Sequence, residues 1–304
     1  MRVFWDADFG EPGGPSRVED EARIRSNLSA VRALIAWVSA RGGVGKSALL
    51  ANIAAVLALA GRKIAIVDAD LNSPSIMPML GMKAGRRGAI GDELEPAAGP
   101  LGLRIVSSEF LPEGDLPISF ADIDEGPTLP QNGSRPKECS YLAAMRRLLG
   151  RTRFGAVDLI FVDLAPGTEQ IYRMLKIAPQ TKLLFSSHPS ELSARATRAA
   201  IEIAQQFPDS VLGVIENMAG FNCDSCHRVR PLMPYGSLGA HAREVGIPVL
   251  ERLPFDPRFA ESCERGVIFV REYPQTPMGK QLVALAHAID KAASNAQAGV
   301  ATSA

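Results

Sequence analysis

Six short runs along the chain are rich in apolar and β-branched residues and show little polar alternation: Leu34–Ser39, Lys63–Asp68, Leu103–Ser108, Asp158–Asp163, Lys182–Ser187 and Val211–Glu216. A strand with one wet face alternates apolar and polar side chains, so near-continuous apolar runs predict strands covered on both faces, as in a parallel sheet. Between them Lys46–Ala60, Tyr141–Leu149 and Ser190–Gln206 are helical in composition, with Gly61 and Gly150 standing where two of these helices need a C-cap. Strands alternating with helices predict an α/β chain of three layers, a mostly parallel sheet with helices on both faces. A terminal amphipathic helix is expected over Met278–Ala293, and Pro112–Lys137, rich in proline, glycine and acidic residues, reads as a long loop or insertion. No internal repeat is apparent.

Composition narrows the function classes. A chain of 304 residues that is 46% apolar can bury an ordinary core, and one large α/β domain is the simplest division. Residues 1–30 are polar and broken by Pro12, Gly13, Gly14 and Pro15, which predicts a flexible leader ending in a short charged helix; 31–294 form the domain, and 295–304 a disordered tail. Lysine plus arginine equals aspartate plus glutamate at 33 each, so no overall basic field draws the chain onto nucleic acid or anionic lipid. Met1–Ser16 carries Asp6, Asp8 and Glu11 and lacks a basic stretch followed by an apolar one, and the longest apolar run, Ala48–Ala60, contains Asn52 and is too short to span a bilayer. The expectation is a cytoplasmic protein with no stable nucleic-acid or membrane binding.

The first strand runs directly into Ala40-Arg41-Gly42-Gly43-Val44-Gly45-Lys46-Ser47 and then into a helix, the context a phosphate-binding loop requires. Glycines let backbone N–H groups turn around phosphate oxygens, and the helix N-terminus adds a favourable dipole. Lys46 neutralises the β and γ phosphates of ATP, and the Ser47 hydroxyl reaches Mg2+. Ala40 replaces the first glycine of the strict Walker pattern. Asp68 and Asp70 end one strand and Asp163 another, so a parallel sheet brings all three acids to the same edge as the loop. Asp68 and Asp163, with Ser47, are the magnesium candidates; Asp163 would hold a magnesium-bound water and Asp70 would orient the water that attacks the γ phosphate. A strand-end aspartate such as Asp68 can equally be a helix cap.

Arg41–Ser47, then Asp68-Ala69-Asp70-Leu71-Asn72-Ser73-Pro74-Ser75, Asp163-Leu164-Ala165-Pro166-Gly167-Thr168 and the run from Glu216-Asn217-Met218 into Cys223-Asp224-Ser225-Cys226 resemble the Mrp/ApbC group of iron–sulfur cluster carrier ATPases. That group shares its deviant Walker A loop with the MinD and ParA ATPases. The resemblance, which continues through Gly246–Leu250 and Leu253–Pro257, implies a P-loop ATPase domain over 31–294 with a cysteine-bearing insertion near 217–235. It implies a homodimer sandwiching two nucleotides, with Gly42, Gly43, Val44, Gly45, Lys46, Ser47 and Ala48 around the phosphates and Asn217 at the adenine. It also implies a catalytic role for the residue at Arg41 across the dimer, beside Lys46 and Asp70. The family has lysine at Arg41, threonine at Ala48 and a double proline followed by glycine-aspartate where this chain has Ala165–Gln170. Arginine keeps the charge and can grip phosphate with two N–H groups, but its shape differs, and the three departures together predict slow or altered turnover.

Four cysteines do not make a disulfide framework in a chain this long, and a close pair in a reducing compartment points to metal or redox chemistry. Cys223 and Cys226 supply only two thiolates, whereas zinc or an iron–sulfur cluster normally takes four ligands. The resemblance implies that two subunits pool their pairs to bridge one [4Fe-4S] cluster, which is then passed to apo iron–sulfur proteins. A bridging zinc, with His227 as an additional ligand, and a bare thiol pair remain open. So does a MinD- or ParA-type positioning ATPase, although the last helix offers only Lys280 and Lys291 beside Asp290 and the tail after it has no large aromatic or leucine-type anchor. Cys139 and Cys263 are isolated, as are His188, His241 and His287, and all five read as packing or surface residues.

Overall fold

The computed structural model describes residues 15–83, 93–111, 140–222, 229–233 and 238–301. All six expected strands form, each within a residue or so of its expected bounds: β1 (Ala33–Val38), β2 (Ile64–Ala69), β4 (Arg104–Ser107), β5 (Leu159–Leu164), β6 (Lys182–Ser187) and β7 (Val211–Glu216). Most of their side chains are buried, as runs without polar alternation require. Two strands of the main sheet were not foreseen. β3 (Ala97–Ala98) adds antiparallel to β4 and β10 (Val249–Arg252) parallel to β7, so that among the described residues eight strands lie in the order β10-β7-β6-β1-β5-β2-β4-β3. A separate small ladder pairs β8 (Phe221–Asn222) with β9 (Val229–Arg230).

The direction of each crossover sets the layers. From β1 the chain passes through α2 (Lys46–Leu59) to β2, moving one way along the sheet. From β4 through α4 (Ser140–Gly150) to β5, through α5 (Glu169–Ile177) to β6, and through α6 (Glu191–Ala204) to β7 it moves the other way. Because parallel crossovers are right-handed, α2 covers one face and α4, α5 and α6 the other. Helix α10 (Pro277–Ala301) packs on α2, which is buried almost all round, from Leu49 to Leu57. The ends of β1 and β5 therefore send their helices to opposite faces, and the crevice that opens between such strands at their carboxyl ends is where open α/β sheets bind ligands.

The termini carry more order than composition suggests. Helix α1 (Pro15–Leu28) is docked on α4 by buried Ile24 and Leu28, by Arg151 Nε donating to Asp20 Oδ1 at 2.8 Å, and by Asn27 Nδ2 donating to the Leu149 carbonyl at 2.9 Å. Gly150 serves this contact and not a C-cap: it lies inside α4, and a Cβ there would come within 2.9 Å of the Asp20 carbonyl oxygen. Gly61 does close α2 as expected, with φ of 84°. Helix α10 runs past Ala293 to Ala301, because the alanine-rich stretch contains no proline to stop it. Among the described residues no helix is long and apolar enough to cross a membrane.

Candidate nucleotide site

The loop between β1 and α2 has the backbone that its glycines allow. Gly43 and Gly45 take φ of 78° and 79°, the left-handed region that side-chain-bearing residues rarely adopt. At Gly45 space is equally restrictive, since a Cβ would lie 2.5 Å from Nδ2 of Asn217. That amide, almost fully buried just beyond β7, donates to the Val44 carbonyl at 2.9 Å. Gly167 N donates to the Ser39 carbonyl at 3.0 Å, and Leu49 N donates to that of Gly45 at 2.9 Å as α2 begins. Gly42, Gly43 and the Arg41 side chain are exposed, while Ala48 is half-buried against the core.

Behind the loop lies a buried charge cluster. Lys46 Nζ forms an ion pair and hydrogen bond with Asp163 Oδ1, and it lies 3.3 Å from Ser47 Oγ. Parallel register places Asp68 of β2 directly opposite Asp163 of β5, so both side chains emerge from the same face at the same level. Two carboxylates thus lie together beside an ammonium that pairs with Asp163, in a space where Asp163 is 0% and Asp68 1% exposed. Burial, and then the Asp163 charge, push the Asp68 carboxyl up to about 7. Asp68 Oδ2 meanwhile accepts from the amides of Ser75 (2.8 Å) and Ile76 (2.9 Å), capping the short helix α3 (Ile76–Met79). Asp163 Oδ2 is buried without a hydrogen-bond partner among the described residues.

The structure therefore gathers Lys46, Ser47, Asp68, Asp163, Gly45 and Asn217 around one crevice. Asp70 is half-buried at the same edge, but its Oδ1 accepts from the amides of Asn72 and Ser73, both at 3.3 Å, as a turn cap. Cys223 and Cys226 lie outside the described residues; the positions between Asn222 and Val229, which pair across β8 and β9, include both. One residue belongs here that sequence reasoning set aside. His188, immediately after β6, lies beside the Gly43 backbone and the Arg41 charge, and its Nε2 is buried without a partner among the described residues. Desolvation, aided by Arg41, lowers its pKa and favours the neutral ring. Its position at the carboxyl end of a strand is the one sequence signal that could have flagged it.

The donor set fits Mg2+ with nucleotide. An orphaned Asp163 oxygen, a second carboxylate opposite it and the Ser47 hydroxyl are hard oxygen ligands of the type this ion takes, with phosphate oxygens and waters completing the shell. A loop of left-handed glycines leading into a helix, a buried lysine and strand-end carboxylates on a mostly parallel sheet define a P-loop NTPase. More narrowly, the chain belongs to the ParA-type family described as NUBPL iron-transfer P-loop NTPase, whose model matches residues 30–290. It is similar to an iron–sulfur cluster carrier protein of Saccharolobus solfataricus, 30% identical over 274 residues that make up 89% of this chain and 87% of the relative. A protein of the same description from Methanocaldococcus jannaschii is 31% identical over 255 residues, 83% of this chain and 82% of the relative. Among solved structures, an ADP complex of a nucleotide-binding protein from Archaeoglobus fulgidus superposes with a TM-score of 0.66 at 29% identity, covering 82% of this chain and 92% of its own. The septum site-determining protein MinD of Pyrococcus horikoshii, with a TM-score of 0.58 at 19% identity over 87% and 98% of the two chains, shares the fold. The family resemblance and the fold class expected from the sequence are both borne out.

Proposed function

We propose that this chain is an ATP-binding and ATP-hydrolysing carrier that accepts a preformed [4Fe-4S] cluster as cargo on Cys223 and Cys226 and delivers it to apo iron–sulfur proteins in the cytoplasm. The observation that carries the nucleotide half is the Lys46–Asp163 pair behind a loop whose glycines are left-handed. The carrier half is supported by family membership and by the similarity to archaeal iron–sulfur cluster carrier proteins. In this reading the loop amides and Lys46 hold the phosphates, while Ser47, Asp68 and Asp163 would hold Mg2+, which would supply neutralisation of phosphate charge. Asp70 leaves its turn cap to orient the attacking water, and exposed Arg41 reaches the phosphates of a second subunit in a homodimer. Two thiolates per chain leave a four-ligand cluster incomplete, so pairing of two chains is also what the cargo chemistry requires.

Anaerobic reconstitution with iron and sulfide tests the carrier half. The wild type is expected to take up about four iron and four sulfide per two chains, and Cys223→Ala to take up none. Equal uptake by the variant, or no uptake by the wild type, rejects the assignment; zinc retained in place of iron identifies the site as structural.

A further inference from the structure

For backbone N–H groups to line an anion cradle, the carbonyls of the same peptides must turn outward, and each then needs a donor of its own. The described contacts show where those donors come from. Ser39 and Gly45 find theirs in the backbone, at Gly167 and Leu49. Val44 finds its donor in the side chain of Asn217, a residue 173 positions away, and the imidazole of His188 stands against the backbone of Gly43. The two side chains leave adjacent strands at equivalent places, for Ser187 pairs with Glu216 across β6 and β7 and the Ser187 carbonyl accepts from Asn217 N at 2.8 Å. Met218, next along, holds φ of 57°, a conformation that disfavours methionine, so the backbone tolerates strain at the point where Asn217 is aimed.

We infer that Asn217 and His188 are positioning residues that hold consecutive carbonyls of the phosphate loop turned outward, so that its amides face the phosphates before ligand arrives. The inference rests on the nucleotide reading above and gives Asn217 a function separate from any contact with the base. Asn217 Nδ2 is committed to Val44, and the packing that forbids a Cβ at Gly45 locks loop and amide together. His188 extends the same device by one peptide. Its unpaired Nε2 and the desolvation that keeps the ring neutral fit a group used for one directed hydrogen bond and not as a cation for phosphate.

The test is calorimetric titration of the full chain with MgADP and, separately, with magnesium pyrophosphate, which has phosphates but no base. Melting of the ligand-free protein serves as the control for folding. Asn217→Ala is expected to weaken both ligands by about tenfold, the value of one hydrogen bond to a buried carbonyl. A residue that touches only adenine would weaken MgADP and leave pyrophosphate unchanged, and that result overturns the inference for Asn217. Because Asn217 is buried, its variant can lose the fold; half-exposed His188 then carries the test. His188→Ala is expected to weaken both ligands without lowering the melting temperature, and His188→Asn, which keeps an N–H donor, to restore most of the affinity. Wild-type affinity in His188→Ala, or a loss that His188→Asn does not recover, overturns the assignment of His188. If the wild type binds neither ligand, the nucleotide reading itself falls and this inference with it.

Discussion

Replacing Lys46 with alanine is expected to cost stability as well as nucleotide binding, because the ammonium is the only described partner of Asp163 Oδ1 and the second oxygen has none. Asp163 is fully buried and Lys46 nearly so, which places the pair among those whose disruption costs about 3–5 kcal/mol, since one charge stays behind in a dry site. The loss in Lys46→Ala at pH 8 should therefore lie in that range. Urea unfolding of ligand-free protein in chelator measures it. Adding Asp163→Asn to Lys46→Ala should recover most of the loss at pH 8, because no charge is then left unpaired at that position. A Lys46→Ala variant as stable as wild type at pH 8, or a double variant no more stable than the single one, would refute the account.

Other substitutions probe the neighbouring contacts. With the Asp68 carboxyl raised to about 7 from 3.8, the native state binds more protons than the unfolded chain between those values, so this residue's contribution to stability declines as pH climbs through that window. Asp68→Asn should flatten that slope in chelated protein and melt above wild type at pH 8, while weakening MgADP in calorimetry; an unchanged slope counts against the shared-carboxylate picture. Gly45→Ala places a Cβ 2.5 Å from Asn217 Nδ2 in a left-handed residue that alone costs about 1–2 kcal/mol, and it should abolish detectable MgADP binding. Gly150→Ala pushes α1 from α4 by overpacking worth about 1–3 kcal/mol, and should speed amide exchange in Pro15–Leu28 while leaving the nucleotide loop protected; wild-type exchange in α1 would show that the contact yields freely.

What the sequence disclosed follows the physics of each element. Strands covered on both faces are written as unbroken apolar runs, and all six were legible. β10 was not, because Val249–Arg252 lies at the sheet edge with its side chains partly or fully exposed, and a four-residue edge strand ending Glu251-Arg252 carries no such run. The phosphate loop was legible because glycine spacing, Lys46 and Ser47 are local and adjacent in the chain. The convergence of Asp68 and Asp163 could be argued from strand ends, but only register shows them directly opposite each other, with the Lys46 ammonium paired to Asp163. Gly150 was misjudged because a glycine after a helical run looks the same whether it caps the helix or admits another helix, and α1 lies more than a hundred residues away in sequence. His188 gave no signal by spacing. It acquires meaning only because β6 pairs with β1 and so ends beside the loop that β1 feeds.

The arrangement of Lys46 also bears on why a loop with this charge cluster needs outside donors at all. The Lys46 ammonium is paired with buried Asp163. A phosphate that recruits it must compete with a buried carboxylate, so part of the attraction between lysine and phosphate is offset by the exposure of Asp163 to an unpaired state. Lysine alone is then a weak means of holding the loop in its binding shape, because its hydrogen-bonding capacity is directed inward to Asp163. Side chains anchored on strands β6 and β7 do not have this conflict: Asn217 bonds to Val44 whatever Lys46 does. Shape is thus secured by neutral groups from the sheet, and charge is left free to respond to the ligand. That separation predicts opposite electrostatic behaviour for the two sets of residues, with salt and pH acting on Lys46, Asp68 and Asp163 and leaving the Asn217 contact untouched.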